Sequence, residues 1–246
     1  MIPSVSVSAE RSLRIRGMQG KVLDLFGGLS ASYERVLDVA TVVQDRRWKK
    51  WAAKQIDAHP RGLLLDVGCG TLLLEERLKP STGNVVGLDL TEEMLRGGQK
   101  KRLSNVSMLI QGDAESLPFA DGTFDTVVTC YVAKYVDLGR FVSELARIAK
   151  PGGRVILYDF VRPRGLLRPL LVLYFQVVIR STGNLLRLTG SGAAKIFLNL
   201  PKIIDAATWD SRLLGLTEAE RFETRSFKRL TGGVVAAYVG VNNAER

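Results

Sequence analysis

From residue 63 onward the chain alternates short apolar runs with longer amphipathic stretches, and the two periods predict different elements. Leu63 to Val67 is a compact apolar run that ends at glycines, the pattern of a strand buried on both faces. Val85 to Leu90, Val106 to Gln111, Phe124 to Tyr131 and Arg154 to Phe160 repeat it, the last after a Pro151-Gly152-Gly153 turn. Between these runs, Leu72 to Leu78, Glu92 to Arg102 and Leu138 to Ala149 carry a helical period, and Thr91 is placed to cap the second. Strand and helix in strict alternation predict βαβ units and a parallel sheet.

The ends of the chain differ from its middle. Val22 to Asp57 reads as a helical flank rich in charge, with Phe26, Tyr33, Trp48 and Trp51 along it, and His59-Pro60-Arg61-Gly62 breaks the pattern. After Phe160 comes a helical insertion over about 161–217, and then two strand-like runs, Arg221 to Phe227 and Val234 to Val241, around Gly232 and Gly233. That pairing predicts an antiparallel hairpin at one edge. The expectation is an α/β fold, a doubly wound, mostly parallel seven-stranded sheet with a C-terminal antiparallel hairpin. Residues 1–60 form a tail and helical flank, and residues 61–246 form one domain carrying the insertion.

Composition narrows the setting. The 246 residues, 46% hydrophobic, suffice for a full core. Two cysteines, Cys69 and Cys130, fall at strand ends and read as reduced, buried thiols. With one histidine, His59, no metal site is expected. The net charge of +10 favours an anionic partner without choosing between nucleic acid, membrane and acidic substrate. Met1 to Gly17 lacks the apolar core of a secretory signal and reads as a mobile tail. Leu166 to Ile179 is the most apolar stretch; Arg168 and Pro169 interrupt it and Arg164 and Arg180 bound it. It is expected to lie on a membrane surface or to cover a greasy pocket, and not to cross a bilayer.

Candidate chemistry gathers at the strand ends. Asp66-Val67-Gly68-Cys69-Gly70-Thr71 follows a buried strand and opens a turn, where backbone N–H groups face a ligand. A dinucleotide fingerprint would place a third glycine at position 73, which is Leu73. Asp66 would repel a pyrophosphate, whereas it would attract the ammonium and sulfonium of S-adenosylmethionine (SAM). Asp89 ends the second strand, where its two oxygens suit a pair of ribose hydroxyls, and Asp113 follows the third, where it can accept from an adenine amino group beside Ala114. Three acids at converging strand ends predict an anionic crevice for a cationic cofactor.

Leu65 to Gly70, Gly87-Leu88-Asp89, Gly112-Asp113-Ala114-Glu115-Ser116-Leu117-Pro118-Phe119 and Lys150-Pro151-Gly152-Gly153 resemble the signature of class I (Rossmann-like) SAM-dependent methyltransferases. Leu230-Thr231-Gly232-Gly233-Val234-Val235-Ala236, the stretch from Phe26 to Trp51 and Asp159-Phe160-Val161-Arg162-Pro163 resemble, more narrowly, the ubiquinone/menaquinone biosynthesis C-methyltransferases. The resemblance covers most of residues 24–241. It implies SAM contacts at Thr71, Asp89, Asp113, Ala114 and Cys130, and a prenylated, quinol-type acceptor. With the loop reading, the cofactor set is Asp66, Gly68, Gly70, Thr71, Asp89, Leu90, Asp113, Ala114 and Cys130.

Two departures from the family pattern stand out. Gly-Thr-Gly becomes Gly70-Thr71-Leu72, and Phe-Gly-Leu-Arg-Asn-Val becomes Tyr131-Val132-Ala133-Lys134-Tyr135-Val136. The second exchanges a planar guanidinium for an ammonium and alters the pocket wall. The expected reaction is in-line transfer of a methyl group to a ring carbon, with Lys134, Tyr131 and Asp159 the catalytic candidates because all lie at strand carboxyl ends. His59 precedes the first strand, on the opposite edge. The expected partners are a lipid-like quinol or another small molecule, and a membrane surface touched from the cytoplasm; self-association is left open. The alternatives are a methyltransferase acting on RNA, for which Thr129-Cys130-Tyr131-Val132 lacks the run that accepts a base amino group, and a noncatalytic SAM-binding protein.

Overall fold

The computed structural model describes residues 20–30, 32–58, 62–79, 82, 84–166, 168–188 and 190–243; the expected tail Met1 to Gly17 and His59 lie outside these. Strands β1 (Leu64–Val67), β2 (Val85–Asp89), β3 (Val106–Gln111), β4 (Phe124–Cys130), β5 (Ala149–Phe160), β6 (Phe222–Leu230) and β7 (Val235–Asn242) form one sheet in the order 3-2-1-4-5-7-6. The first five are parallel, and β7 runs antiparallel between β5 and β6. This is the expected sheet with its hairpin. The order reverses at β1, so the crevice opens at the carboxyl ends of β1 and β4, where an open α/β sheet receives ligands.

Period-2 alternation sends successive side chains of each central strand into two separate cores. Leu64, Val128, Ile156 and Tyr158 pack on one face, with Trp48, Phe175 and Phe197. Leu65, Val67, Val127, Val155 and Leu157 pack on the other, with Phe141, Leu145 and Trp209. Both faces are covered, which is why these strands read as continuous apolar runs. Helices α1 (Tyr33–Thr41) and α2 (Gln44–Asp57) cover the first face with α5 (Arg168–Leu188) and α6 (Ala193–Ala206). Helices α4 (Leu138–Ile148) and α7 (Trp209–Ala219) cover the second, and α3 (Glu92–Gln99) lies near β2 and β3. Helix α4 shows why such segments form: Asp137 caps it by accepting from the N–H groups of Gly139 and Arg140, and Leu138, Phe141, Val142, Leu145 and Ile148 make its buried stripe.

Several expectations need correction. Leu72 to Leu78 is not an α-helix but a run of turns ending in one 3₁₀ turn, Glu75–Arg77, because Leu72 takes φ +64° and stops a right-handed helix at its first residue. Thr91 is the N-cap of α3, yet its side chain makes no cap bond. The Pro151-Gly152-Gly153 turn is a bulge within β5: the ladder jumps from Phe124–Ala149 to Thr126–Arg154. The flank is helical over 20–26, then in α1 and α2, which are parted where Val42 and Val43 both take positive φ.

The largest difference concerns the apolar insertion. Instead of being interrupted at Arg168 and Pro169, it forms one 21-residue helix with a π-helical centre, Tyr174–Ile179, long and apolar enough by length and composition to cross a membrane. Proline in the first turn is compatible with a helix, since its missing N–H would have had no partner there. Only 17% of its most apolar window is buried. Phe175, Ile179 and Gly183 face the protein, while Leu170, Leu173, Val177, Leu185 and Leu188 are exposed. Gly183 lets α6 approach, as a Cβ there would lie 2.9 Å from Leu198.

Candidate functional site

The tips of β1, β2 and β4 and the loop after β3 open on a cavity of about 770 Å³, bordered by Gly68, Gly70, Asp89, Leu90, Asp113, Ala114 and Cys130. Its floor depends on a bare backbone. Gly68 takes φ +80°, and a Cβ there would lie 2.3 Å from the Val132 side chain. Asp89 ties the loop to the second strand: Oδ2 accepts from the Gly70 N–H at 2.9 Å and Oδ1 from the Thr91 N–H at 2.8 Å. Each carboxylate oxygen keeps accepting capacity. Burial pushes the Asp89 carboxyl up, and the two N–H groups oppose that shift. Asp113 Oδ1 accepts from the Glu115 N–H at 3.0 Å, which folds the loop back beside Ala114.

A second cavity of about 310 Å³ adjoins the first beneath the glycine loop, bordered by Asp66, Gly68, Gly70, Thr71 and Cys130, with Lys49 and Tyr33 from the flank. Thr71 Oγ1 is engaged by Glu34 at 3.1 Å. Asp66 is 2% exposed and, among the described residues, its Oδ1 has no donor in reach; neither have the two oxygens of Glu75, which is equally buried. The two buried carboxyl groups lie close enough to act on each other. Burial pushes Asp66 well above the usual carboxylate range, the Glu75 charge adds to this, and Lys49 opposes it. A buried acceptor without a donor fits a ligand that brings one, and an ammonium group does.

The third cavity, of about 410 Å³, is nearly all apolar. Val36, Leu37 and Ala40 of α1, Phe160 at the end of β5 and Ile196 and Leu200 of α6 enclose it, with Tyr131, Lys134 and Tyr135 at its polar edge. Tyr33 and Tyr131 border all three cavities, so the polar chambers and the apolar one meet at these two rings.

The three catalytic candidates come together, in unequal settings. Tyr131 reaches the cavities, and its hydroxyl donates to Asp45 at 2.7 Å. Lys134 Nζ donates to Asp159 Oδ1 at 2.7 Å and to the Tyr131 carbonyl at 2.6 Å. Asp159, 0% exposed, borders none of these three cavities and also accepts from the Lys134 and Phe160 N–H groups. Burial lowers Lys134 and raises Asp159, each opposed by the partner's charge. The pair pins the turn that follows Tyr131. Sequence reasoning left Asp45, Lys49 and Glu75 aside. A signal for two of them was present: Asp45 and Lys49 fall on the stripe of α2 that buries Trp48, Ala52, Ala53 and Ile56, and a charged pair on a buried stripe calls for a role.

A model of the ubiE/COQ5 methyltransferase family matches residues 15–242. The chain is 31% identical over 221 residues to a demethylmenaquinone methyltransferase of Streptomyces avermitilis, covering 89% of this chain and 94% of that one. It is 31% identical over 225 residues to a protein of the same name from Deinococcus radiodurans, covering 89% and 91%. A SAM-dependent methyltransferase from Aquifex aeolicus superposes with a TM-score of 0.54 at 15% identity, over 78% of this chain and 88% of that one, a likeness of fold.

Proposed function

The chain belongs to the ubiE/COQ5 methyltransferase family and is a methyltransferase that uses SAM, and on that premise we propose that it C-methylates a prenylated quinol of the demethylmenaquinol type at the membrane surface. The observation that carries this reading is the junction of an apolar cavity with two acid-lined ones at Tyr33 and Tyr131. An acceptor whose reacting ring meets a polar chamber while its body needs an apolar one is an isoprenoid-bearing aromatic. A nucleotide or a peptide would leave the apolar walls unused.

Asp66, Asp89 and Asp113 hold the cofactor with the backbone of Gly68 and Gly70, while Thr71, Leu90, Ala114 and Cys130 shape its walls. The unpartnered Asp66 oxygen and the cradle that admits only glycine at position 68 support this. When bound, SAM supplies a methyl group made electrophilic by a sulfonium. The protein positions the acceptor ring on the Tyr131 side and excludes water with Val36, Leu37 and Phe160. Lys134 and Asp159 fix the turn that carries Tyr131.

The outward face of α5 supports the membrane part of the reading. Its exposed leucines and valines form one stripe along a helix whose other side packs on the domain, with Arg168, Arg180 and Arg187 along its length. Such a helix lies in a lipid interface with its arginines at the headgroups. Incubation with methyl-labelled SAM, demethylmenaquinol in lipid vesicles and total RNA tests the function. Label is expected in the quinol; label in RNA alone overturns it.

A further inference from the structure

Tyr131 stands where the resembled family carries Phe, and it is held with unusual firmness. Its backbone takes φ +66°, its N–H donates to the Tyr158 carbonyl at 3.0 Å and its carbonyl accepts from Lys134. The ring stacks on Phe160 at 5.1 Å and meets the edge of Tyr158 at 5.2 Å. A phenylalanine would make the same ring contacts, so the hydroxyl has a purpose of its own. It donates to Asp45 Oδ1, 2% exposed, which also takes Lys49 Nζ at 2.5 Å.

We propose that Tyr131 and Asp45 together are the proton acceptor of the transfer. The acceptor ring's hydroxyl gives its proton to the Tyr131 oxygen while Tyr131 passes its own to Asp45 Oδ1, and Lys49 holds the carboxylate in line. This rests on the reading that the acceptor is a hydroxylated ring. The ring carbon, enriched by the electron pair left on oxygen, forms a bond to the donated methyl as the S–CH₃ bond breaks and its pair returns to sulfur. The methylated carbon then loses its hydrogen as a proton to water, and the ring oxygen recovers the relayed proton. One proton is released per methyl.

Burial first, then the charge of Asp45, pushes the Tyr131 phenol well above its usual range. A phenol that is protonated throughout the neutral range accepts a proton only by giving one up, so the carboxylate behind it is required. The other groups facing Tyr131 are Tyr33 from α1, Lys49 from α2, Cys130 from β4, Lys134 from the following turn and Tyr158 from β5. Of these the two ammonium groups, 5.1 and 5.2 Å from its ring centre, carry positive charge and favour a passing phenolate.

The test measures methyl transfer to demethylmenaquinol between pH 5.5 and 9 for the unaltered protein, Tyr131→Phe, Asp45→Asn and the double variant, with SAM affinity by calorimetry on each. General-base loss of roughly 10²–10³ in kcat is expected for either single change. KM and SAM affinity should stay within about threefold, and the rate should rise steadily to high pH as bulk hydroxide takes over. The double variant should be no slower than the worse single, because the two residues act as one unit. Tyr131→Phe keeps the ring packing, so it reports even where Asp45→Asn fails to fold. Retention of kcat within threefold in Tyr131→Phe, or single losses that multiply in the double variant, overturns the dyad while the acceptor assignment stands. No transfer to the quinol by the unaltered protein overturns the acceptor assignment, and the dyad's role with it.

Discussion

Lys134, in the turn after β4, and Asp159, near the end of β5, meet as an ion pair 2.7 Å long, with their side chains only 2% and 0% exposed. Removing one partner leaves the other charged in a dry interior, which costs about 3–5 kcal/mol, whereas replacing both by apolar groups of similar size is close to neutral. Lys134→Met is therefore expected to lower the melting temperature by about 10 °C, and Lys134→Met with Asp159→Leu to recover most of it. Differential scanning calorimetry on the three proteins checks this; equal losses in single and double variants would contradict it.

Asp89 holds the glycine loop by two backbone bonds and borders the cavity at the strand tips. Asp89→Ala removes both ties and the acceptor oxygens at once. With hydrogen bonds to a charged group worth about 1.5–3 kcal/mol each, SAM affinity should fall by 100-fold or more. Isothermal titration calorimetry reads the outcome, and an unchanged dissociation constant would refute the cofactor assignment.

The buried Asp66–Glu75 pair sets a direction for stability against pH. Burial raises both carboxyl groups in the folded protein above their unfolded values, so the folded state binds more protons than the unfolded state between the two. Their stabilising contribution is full below the unfolded carboxylate range, near pH 4, and is lost as pH rises through the raised folded values. Glu75→Gln mimics the protonated partner. It should therefore stabilise the ligand-free protein more at pH 8 than at pH 5, as urea denaturation at the two pH values would show.

Leu173 and Val177 stand on the outward face of α5, 58% and 50% exposed. Each apolar side chain withdrawn from water is worth about 1.5–3 kcal/mol, so Leu173→Glu with Val177→Glu should weaken binding to anionic vesicles by 100-fold or more. Sedimentation with vesicles reads this, while SAM affinity and melting temperature should stay as they are. Undiminished sedimentation would remove the membrane-surface reading.

Much of the fold was legible because its information is local. A strand buried on both faces needs side chains such as Leu65, Val127 and Ile156 wherever the sheet is covered, so the runs and their order could be read directly. The same reading erred at Leu72, because an amphipathic run shows no sign that its first residue turns left-handed. It also erred at Arg168-Pro169, where two residues that interrupt a hydropathy run sit harmlessly in a first helical turn.

The candidate site divides along the same line. Asp66, Gly68, Asp89 and Asp113 are announced by their places at or just past strand ends, since the geometry of an open parallel sheet sends every such end to one side. What surrounds Tyr131 was settled by packing. Its hydroxyl finds Asp45 across 86 positions of sequence and its carbonyl is held by Lys134. The apolar chamber beside it is closed by helices that flank and follow the sheet. Local patterns of burial and chain turning are written residue by residue. The partner of a buried polar group depends on which distant segments share an interior, and only the folded chain determines that.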